Sequence, residues 1–134
     1  MAVSEQSVSE TLSKLRSEPI RGRALVLDEK GAIGGYALLI SFWSNELSGE
    51  IIVIDELYVR SPFRNQGHAR KLLISLRRTN HLWPGRAVAL ELEVTPQNRR
   101  AAAFYERVGF KLAKNARLRL LVQPENPDRD KVIG

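Results

Sequence analysis

Apolar residues recur along this chain with two periods, and the change from one to the other marks out its elements. Val8, Leu12 and Leu15 stand at helical spacing among helix formers, which predicts a helix from Ser4 to about Arg16, with Pro19 at its end. Arg23–Asp28 reads as a strand, Asp28–Gly31 as a turn, and Ile33–Trp43 as a second strand; Gly34 and Gly35 mark either a bulge or the hairpin itself. A polar stretch, Ser44–Gly49, leads into Glu50–Val59, whose Ile51-Ile52-Val53-Ile54 has the β-branched density of a buried strand. Beyond the segment Ser61–Arg70, the residues Ala69, Leu72, Leu73 and Leu76 share one face of a helix running from Gly67 to about Thr79. His81-Leu82-Trp83-Pro84-Gly85 then breaks the chain before a strand at Ala87–Val94. In that strand Val88, Leu90, Leu92 and Val94 point one way, and the carboxylates Glu91 and Glu93 share the other face.

Asn98 lies where it can cap a helix whose stripe of Ala101, Phe104, Tyr105 and Val108 is ended by Gly109. Phe110-Lys111-Leu112 and Leu118-Arg119-Leu120-Leu121-Val122 predict a closing hairpin, and two prolines with mixed charges from Gln123 onward read as a loose tail. The chain therefore reads as one domain over residues 1–122 followed by a tail over 123–134. Alternating strands and helices, with hairpins at both ends, predict a mixed α/β sheet with helices on its faces.

With 134 residues and 43% hydrophobic content, the chain can enclose one core. It has no cysteine, which excludes disulfides, thiolate metal sites and a cysteine acyl-enzyme. Its net charge of +6 suits an anionic ligand, whether a phosphorylated small molecule, a nucleic acid or an acidic membrane. The arginines are scattered and form no long basic block, so most of them read as solvated surface. No apolar run is long enough to span a bilayer and no secretion signal opens the chain, so a cytoplasmic, soluble protein without a metal is expected.

The candidate chemistry sits at Ser61–Arg70, where a strand enters a helix through a turn containing Gly67. Backbone N–H groups at a helix start lack intrahelical partners and carry the positive end of the dipole, so they can hold a phosphate. Gly67 allows close approach, and Ala69 is too small to obstruct it.

The spacing Arg64-x-x-Gly67-x-Ala69, preceded by Glu56-Leu57-Tyr58-Val59 and followed by Asn98-x-x-Ala101-x-x-Phe104-Tyr105-x-x-x-Gly109-Phe110, resembles the GNAT acetyltransferase superfamily over roughly residues 51 to 113. The resemblance implies a mixed, mostly antiparallel sheet whose central parallel strands, Ile51–Val59 and Ala87–Val94, splay apart around the pantetheine arm of acetyl-CoA. Backbone groups of Leu57, Tyr58 and Val59 would pair with that arm as an added strand does. By the same resemblance the amides of Arg64, Asn65, Gln66, Gly67, His68, Ala69 and Arg70 would bind the pyrophosphate, with charge added by Arg64 and Arg70. His68 is given a backbone role only, its side chain reading as solvated. Asn98 would contact the cofactor or cap its helix, and Tyr105 would protonate or orient the departing thiolate.

Acetyl transfer to an amine also needs a base, since an ammonium has no lone pair. Glu56 is favoured, then Asp55, then Glu93, and a bulge in their strand inverts the choice between the first two. The implied activity is direct transfer from acetyl-CoA to a primary amine of a small molecule or peptide. Phe42, Trp43, Asn45 and Glu46 are candidates for an aromatic and acidic wall around a cationic acceptor, with Trp43 equally readable as a core anchor. The N-terminal part is shorter than the family's usual strand and two helices, so a homodimer that completes the acceptor wall is a further expectation. Two other classes remain open: a non-catalytic acyl-CoA-binding module, and a basic nucleic-acid-binding domain using Arg77, Arg78, Arg99 and Arg100.

Overall fold

The structure of the protein, a computed structural model, describes residues 4–78 and 82–122. The tail from Gln123 falls outside the described residues, and the second helix ends at Leu76, three residues before the Thr79 expected. Helix α1, Glu5–Ser17, starts where its cap dictates, with the Ser4 hydroxyl accepting from the Ser7 amide at 3.1 Å. Strands β1 (Gly22–Glu29), β2 (Ala32–Ser44) and β3 (Gly49–Val59) follow, then helix α2 (His68–Leu76), strand β4 (Ala89–Leu92) and helix α3 (Arg99–Val108). The sheet has the order β1-β2-β3-β4, antiparallel up to β3 and parallel between β3 and β4.

The β1–β2 turn is Lys30-Gly31, both with positive φ (51° and 86°), and Gly31 donates to Asp28 Oδ1 at 3.0 Å. Gly34 has no partner in the β1–β2 register, which jumps from Leu27↔Gly35 to Asp28↔Ile33, so it is the bulge that the two glycines foreshadow. Arg60 accounts for the freed carbonyls, its amide donating to Gly34 O at 2.7 Å and its guanidinium to Ile33 O at 2.9 Å. At Gly35 a Cβ would lie 2.2 Å from the Tyr58 carbonyl oxygen, so the strands approach there as only glycine allows. Gly35→Ala is expected to cost about 2–3 kcal/mol, read as a lower urea midpoint with unchanged slope.

A second bulge decides where the chemistry faces. Leu38 pairs with Glu56 and Leu39 with Ile54, which leaves Asp55 unpaired. Ile52, Ile54 and, past the bulge, Leu57 therefore face one side with Ala37 and Leu39, packed against Leu73 and Leu76 of α2 and Phe104, Tyr105 and Val108 of α3. On the opposite face Leu38 and Ile51 are buried, as is Leu15 of α1. Trp83 closes the base of the core at 5% exposure, its indole N–H donating to the Glu50 carboxylate, which also accepts from Ser41 at 2.7 Å.

The β3–β4 ladder runs from Ile51↔Ala89 to Ile54↔Leu92 and stops, whereas β3 continues to Val59. The two parallel strands thus part just where Asp55 interrupts the pairing on the other side. Strand β4 is shorter than the Ala87–Val94 expected from alternation. The predicted closing hairpin does not form among the described residues: residues 111–122 are all exposed and include no strand.

Candidate functional site

From Arg60 the chain makes one short 3-10 turn, Ser61–Phe63, and enters α2 through Asn65 and Gly67, both left-handed (φ 61° and 81°). Gly67 is the N-cap, and no side chain caps the helix; its first turn carries no acidic residue. The leading amides of α2 are left to whatever enters from solvent. Helix α3 begins at Asn98, whose Oδ1 accepts from the Ala101 amide at 3.2 Å, and ends at left-handed Gly109.

Between this turn, the free end of β3 and α3 lies a cavity of about 670 Å³. It brings together Leu57, Tyr58 and Val59 of β3, Arg64, Asn65, Gly67, His68, Ala69 and Arg70 of the turn, and Asn98 and Tyr105. Arg100, singled out in the sequence only as a nucleic-acid contact, and Arg107, not singled out there at all, also line it. With Phe104 between them they stand at helical spacing on one face of α3, a signal the sequence carried.

Several side chains differ from their sequence assignment. Gln66 does not line the cavity; its amide donates to Pro62 O at 3.1 Å and braces the turn. Arg64 is folded back, its Nε donating to Val59 O at 2.8 Å and its guanidinium lying 5.8 Å from the Tyr58 ring centroid. The Val59 carbonyl is therefore already engaged. His68 is not a solvated loop residue: its Nε2 lies 3.1 Å from Glu29 Oε2 and 3.3 Å from Gln66 Oε1, tying the turn to the end of β1.

Tyr105 has its ring in the core, 5.2 Å from Phe104 and 5.6 Å from Phe110 between centroids, and the residue reaches the cavity wall. Burial pushes its phenol pKa up, so it is a protonated donor across the neutral range. The three candidate carboxylates part company. Glu93 is exposed and paired with Arg117 at 2.7 Å. Asp55 is exposed at the bulge. The bulge at Asp55 does turn the strand over, so Glu56 faces away from the hydrophobic core, on the side of Tyr36 and Tyr58; it stays the first candidate because it is half-buried where Asp55 is exposed, and not because of the facing that plain alternation gives. Glu56 Oε2 is buried and has no hydrogen-bond partner among the described residues. Tyr36, opposite Tyr58 with ring centroids 6.0 Å apart, has its pKa raised by burial first and by the Glu56 carboxylate second.

Phe42, Trp43, Asn45 and Glu46 do not approach this cavity. Phe42 pairs with Ile51, six positions and about 20 Å along β3 from Leu57. Trp43, 68% exposed, is not a core anchor either; Trp83 holds that place. Among the described residues no group of three metal-ligating side chains occurs, and no helix is long and apolar enough to cross a membrane.

Comparison with known folds agrees with this architecture. A protein described as "a possible acetyltransferase from Clostridium difficile 630" superposes with a TM-score of 0.76 at 16% identity, over 92% of this chain and 81% of its own. An integron cassette protein from the mobile metagenome of Cole Harbour Salt Marsh gives 0.65 at 21% identity, over 92% and 75%. An aminoglycoside acetyltransferase from an uncultured soil metagenomic sample gives 0.65 at 21% identity, over 84% and 74%. No curated protein sequence matches. The family model for GNAT acetyltransferases matches residues 4–110, which includes α1 as well as the turn and α3, and the chain belongs to that family.

Proposed function

We propose that the protein is an N-acetyltransferase that moves an acetyl group directly from acetyl-CoA to a primary amine of a small molecule or peptide. The observation that carries this reading is the cavity where the free end of β3, the uncapped start of α2 and the half-buried Tyr105 converge. The residues present fit the donor. Uncapped α2 amides suit a pyrophosphate, Arg70, Arg100 and Arg107 add positive charge, and a Cβ at Gly67 would meet no protein atom within 4 Å, so the cradle is open. Leu57 and Tyr58 offer main-chain groups to an amide-bearing arm.

Acetyl-CoA supplies the activated acyl group when bound. The chain's own residues do the rest from two sides of the sheet. Tyr105, on the helical face, donates a proton or a hydrogen bond to the departing sulfur. Glu56, on the opposite face, accepts the proton of the amine, and Tyr36 and Tyr58 beside it offer aromatic surface to a cationic acceptor.

Calorimetric titration with acetyl-CoA, with dephospho-CoA and ATP as controls, tests the donor site. Saturable micromolar binding with weak ATP binding is expected, and no binding overturns the reading. Gly67→Val is expected to raise KM for acetyl-CoA about 30-fold. A branched side chain at φ 81° projects into space reserved for phosphate, with only about 1–2 kcal/mol lost in unfolding experiments. An unchanged KM would remove the turn from the donor site.

A further inference from the structure

In the turn that precedes α2, the residues from Arg64 to Gly67 are all exposed, and two of them, Asn65 and Gly67, hold positive φ. Such a segment has no core contacts of its own to fix its shape, yet a phosphate site needs its amides held in place. The fixing comes from the tip of the β1–β2 hairpin.

Three contacts join the hairpin to the turn. Arg60 binds the Ile33 and Gly34 carbonyls. Phe63 lies over Gly34, where a Cβ would come 2.9 Å from both the phenyl ring and Leu27 Cδ2. His68, the first residue of α2, has a side chain only 14% exposed and reaches Glu29, the last residue of β1. Arg60 and Phe63 secure the entry to the turn, and His68 secures its exit, beside the amides left uncapped.

The third contact has a defined chemistry. Gln66 is oriented by its own donation to Pro62 O, so its Oε1 is the atom turned to the imidazole, 3.3 Å from Nε2. Glu29 Oε2 lies 3.1 Å from the same nitrogen. Two acceptors on one ring nitrogen require a hydrogen there, and Nε2–H is shared between them. His68 lines the cavity, whereas Glu29 does not. A carboxylate outside the site therefore reaches its wall through one imidazole.

We propose that Glu29 and His68 are a positioning pair that fixes the leading amides of α2 for the donor's pyrophosphate, a role that rests on the acetyl-CoA reading of this cavity. His68 acts through the backbone it carries at the helix start, and Glu29 acts through His68 without touching the donor.

Calorimetric titration of acetyl-CoA into the full chain and its variants tests the pair. Glu29→Ala and His68→Ala are each expected to weaken binding about tenfold, and the double variant no more than His68→Ala alone, because either change already breaks the one contact. Glu29→Gln should bind within about threefold of the parent, since its amide oxygen accepts the same hydrogen. Urea midpoints should stay together across the set, because a pair at the surface contributes little to global stability. A parent that binds acetyl-CoA, with Glu29→Ala within about twofold of it, overturns the pair and leaves the donor site standing. Losses that multiply to about a hundredfold in the double variant also overturn it, because the two residues then act separately. So does a Glu29→Gln as weak as Glu29→Ala, which assigns the effect to charge alone, or weaker binding in step with a lower urea midpoint, which marks a contact serving only the fold. A parent that binds no acetyl-CoA overturns the donor reading itself, and the pair's role falls with it.

Discussion

Replacing Tyr105 by phenylalanine is expected to lower kcat at least about 100-fold while leaving KM for acetyl-CoA within about twofold. The ring keeps its packing between Phe104 and Phe110, so the variant loses only the hydroxyl. That hydroxyl lies where burial raises its pKa, which holds it protonated at neutral pH and able to donate to a thiolate. The same shift gives a stability signature. Below about pH 10 the phenol is neutral both folded and unfolded, and it contributes no pH dependence. Above that value the unfolded chain releases the proton first, so stability falls as pH rises toward the higher folded value. Tyr105→Phe should lose that part of the alkaline decline. Steady-state kinetics separate the two accounts of this residue: a loss confined to kcat marks an acid, whereas a change in acetyl-CoA affinity with no turnover to lose marks a non-catalytic acyl-CoA-binding module.

What the sequence revealed, and what it concealed, divides along the range of the interactions involved. Ser4, Asn98 and Gly109 set helix ends through contacts within a few residues, and those ends fall where the caps place them. The turn around Gly67 is likewise local, since its positive φ and the uncapped helix start follow from residues contiguous in sequence. The bulge at Asp55 is different. Nothing between Ile51 and Val59 marks which residue loses its partner; that is settled by pairing with β2, where Leu38 and Leu39 are consecutive but their partners are not. The register also carried Phe42 and Trp43 to the far end of the hairpin and put Tyr36 beside Tyr58, a residue that strand alternation alone gave no reason to single out. His68 meets Glu29 across the fold, a contact between elements far apart in sequence. The closing hairpin does not form among the described residues although Leu118, Leu120 and Val122 alternate as a strand's residues do, because alternation does not decide whether a sheet edge takes the segment up.

Glu56→Gln is expected to reduce kcat/KM about 100-fold at pH 7, with the deficit shrinking as pH rises. Glu56 Oε2 has no hydrogen-bond partner among the described residues. A buried acceptor without a partner costs about 1–3 kcal/mol, and Glu56 Oε2 is such an atom, so the fold is less stable than it would be with an apolar group of the same shape there. Carboxylates held in this way are found where a site needs an acceptor ready for a proton that arrives with the substrate. An amine must lose its proton before or during attack, and without the carboxylate only the fraction already neutral in solution reacts productively. That fraction grows tenfold per pH unit below the amine's own pKa, so the variant's rate should climb with pH while the wild-type profile stays flatter. Urea unfolding should show Glu56→Gln within about 1 kcal/mol of the parent, because the amide keeps the shape and still places a polar atom at the unpartnered position. A variant that is less stable and fully active would assign Glu56 a structural role instead. In that case Asp55, exposed at the bulge, becomes the carboxylate to test in the same way.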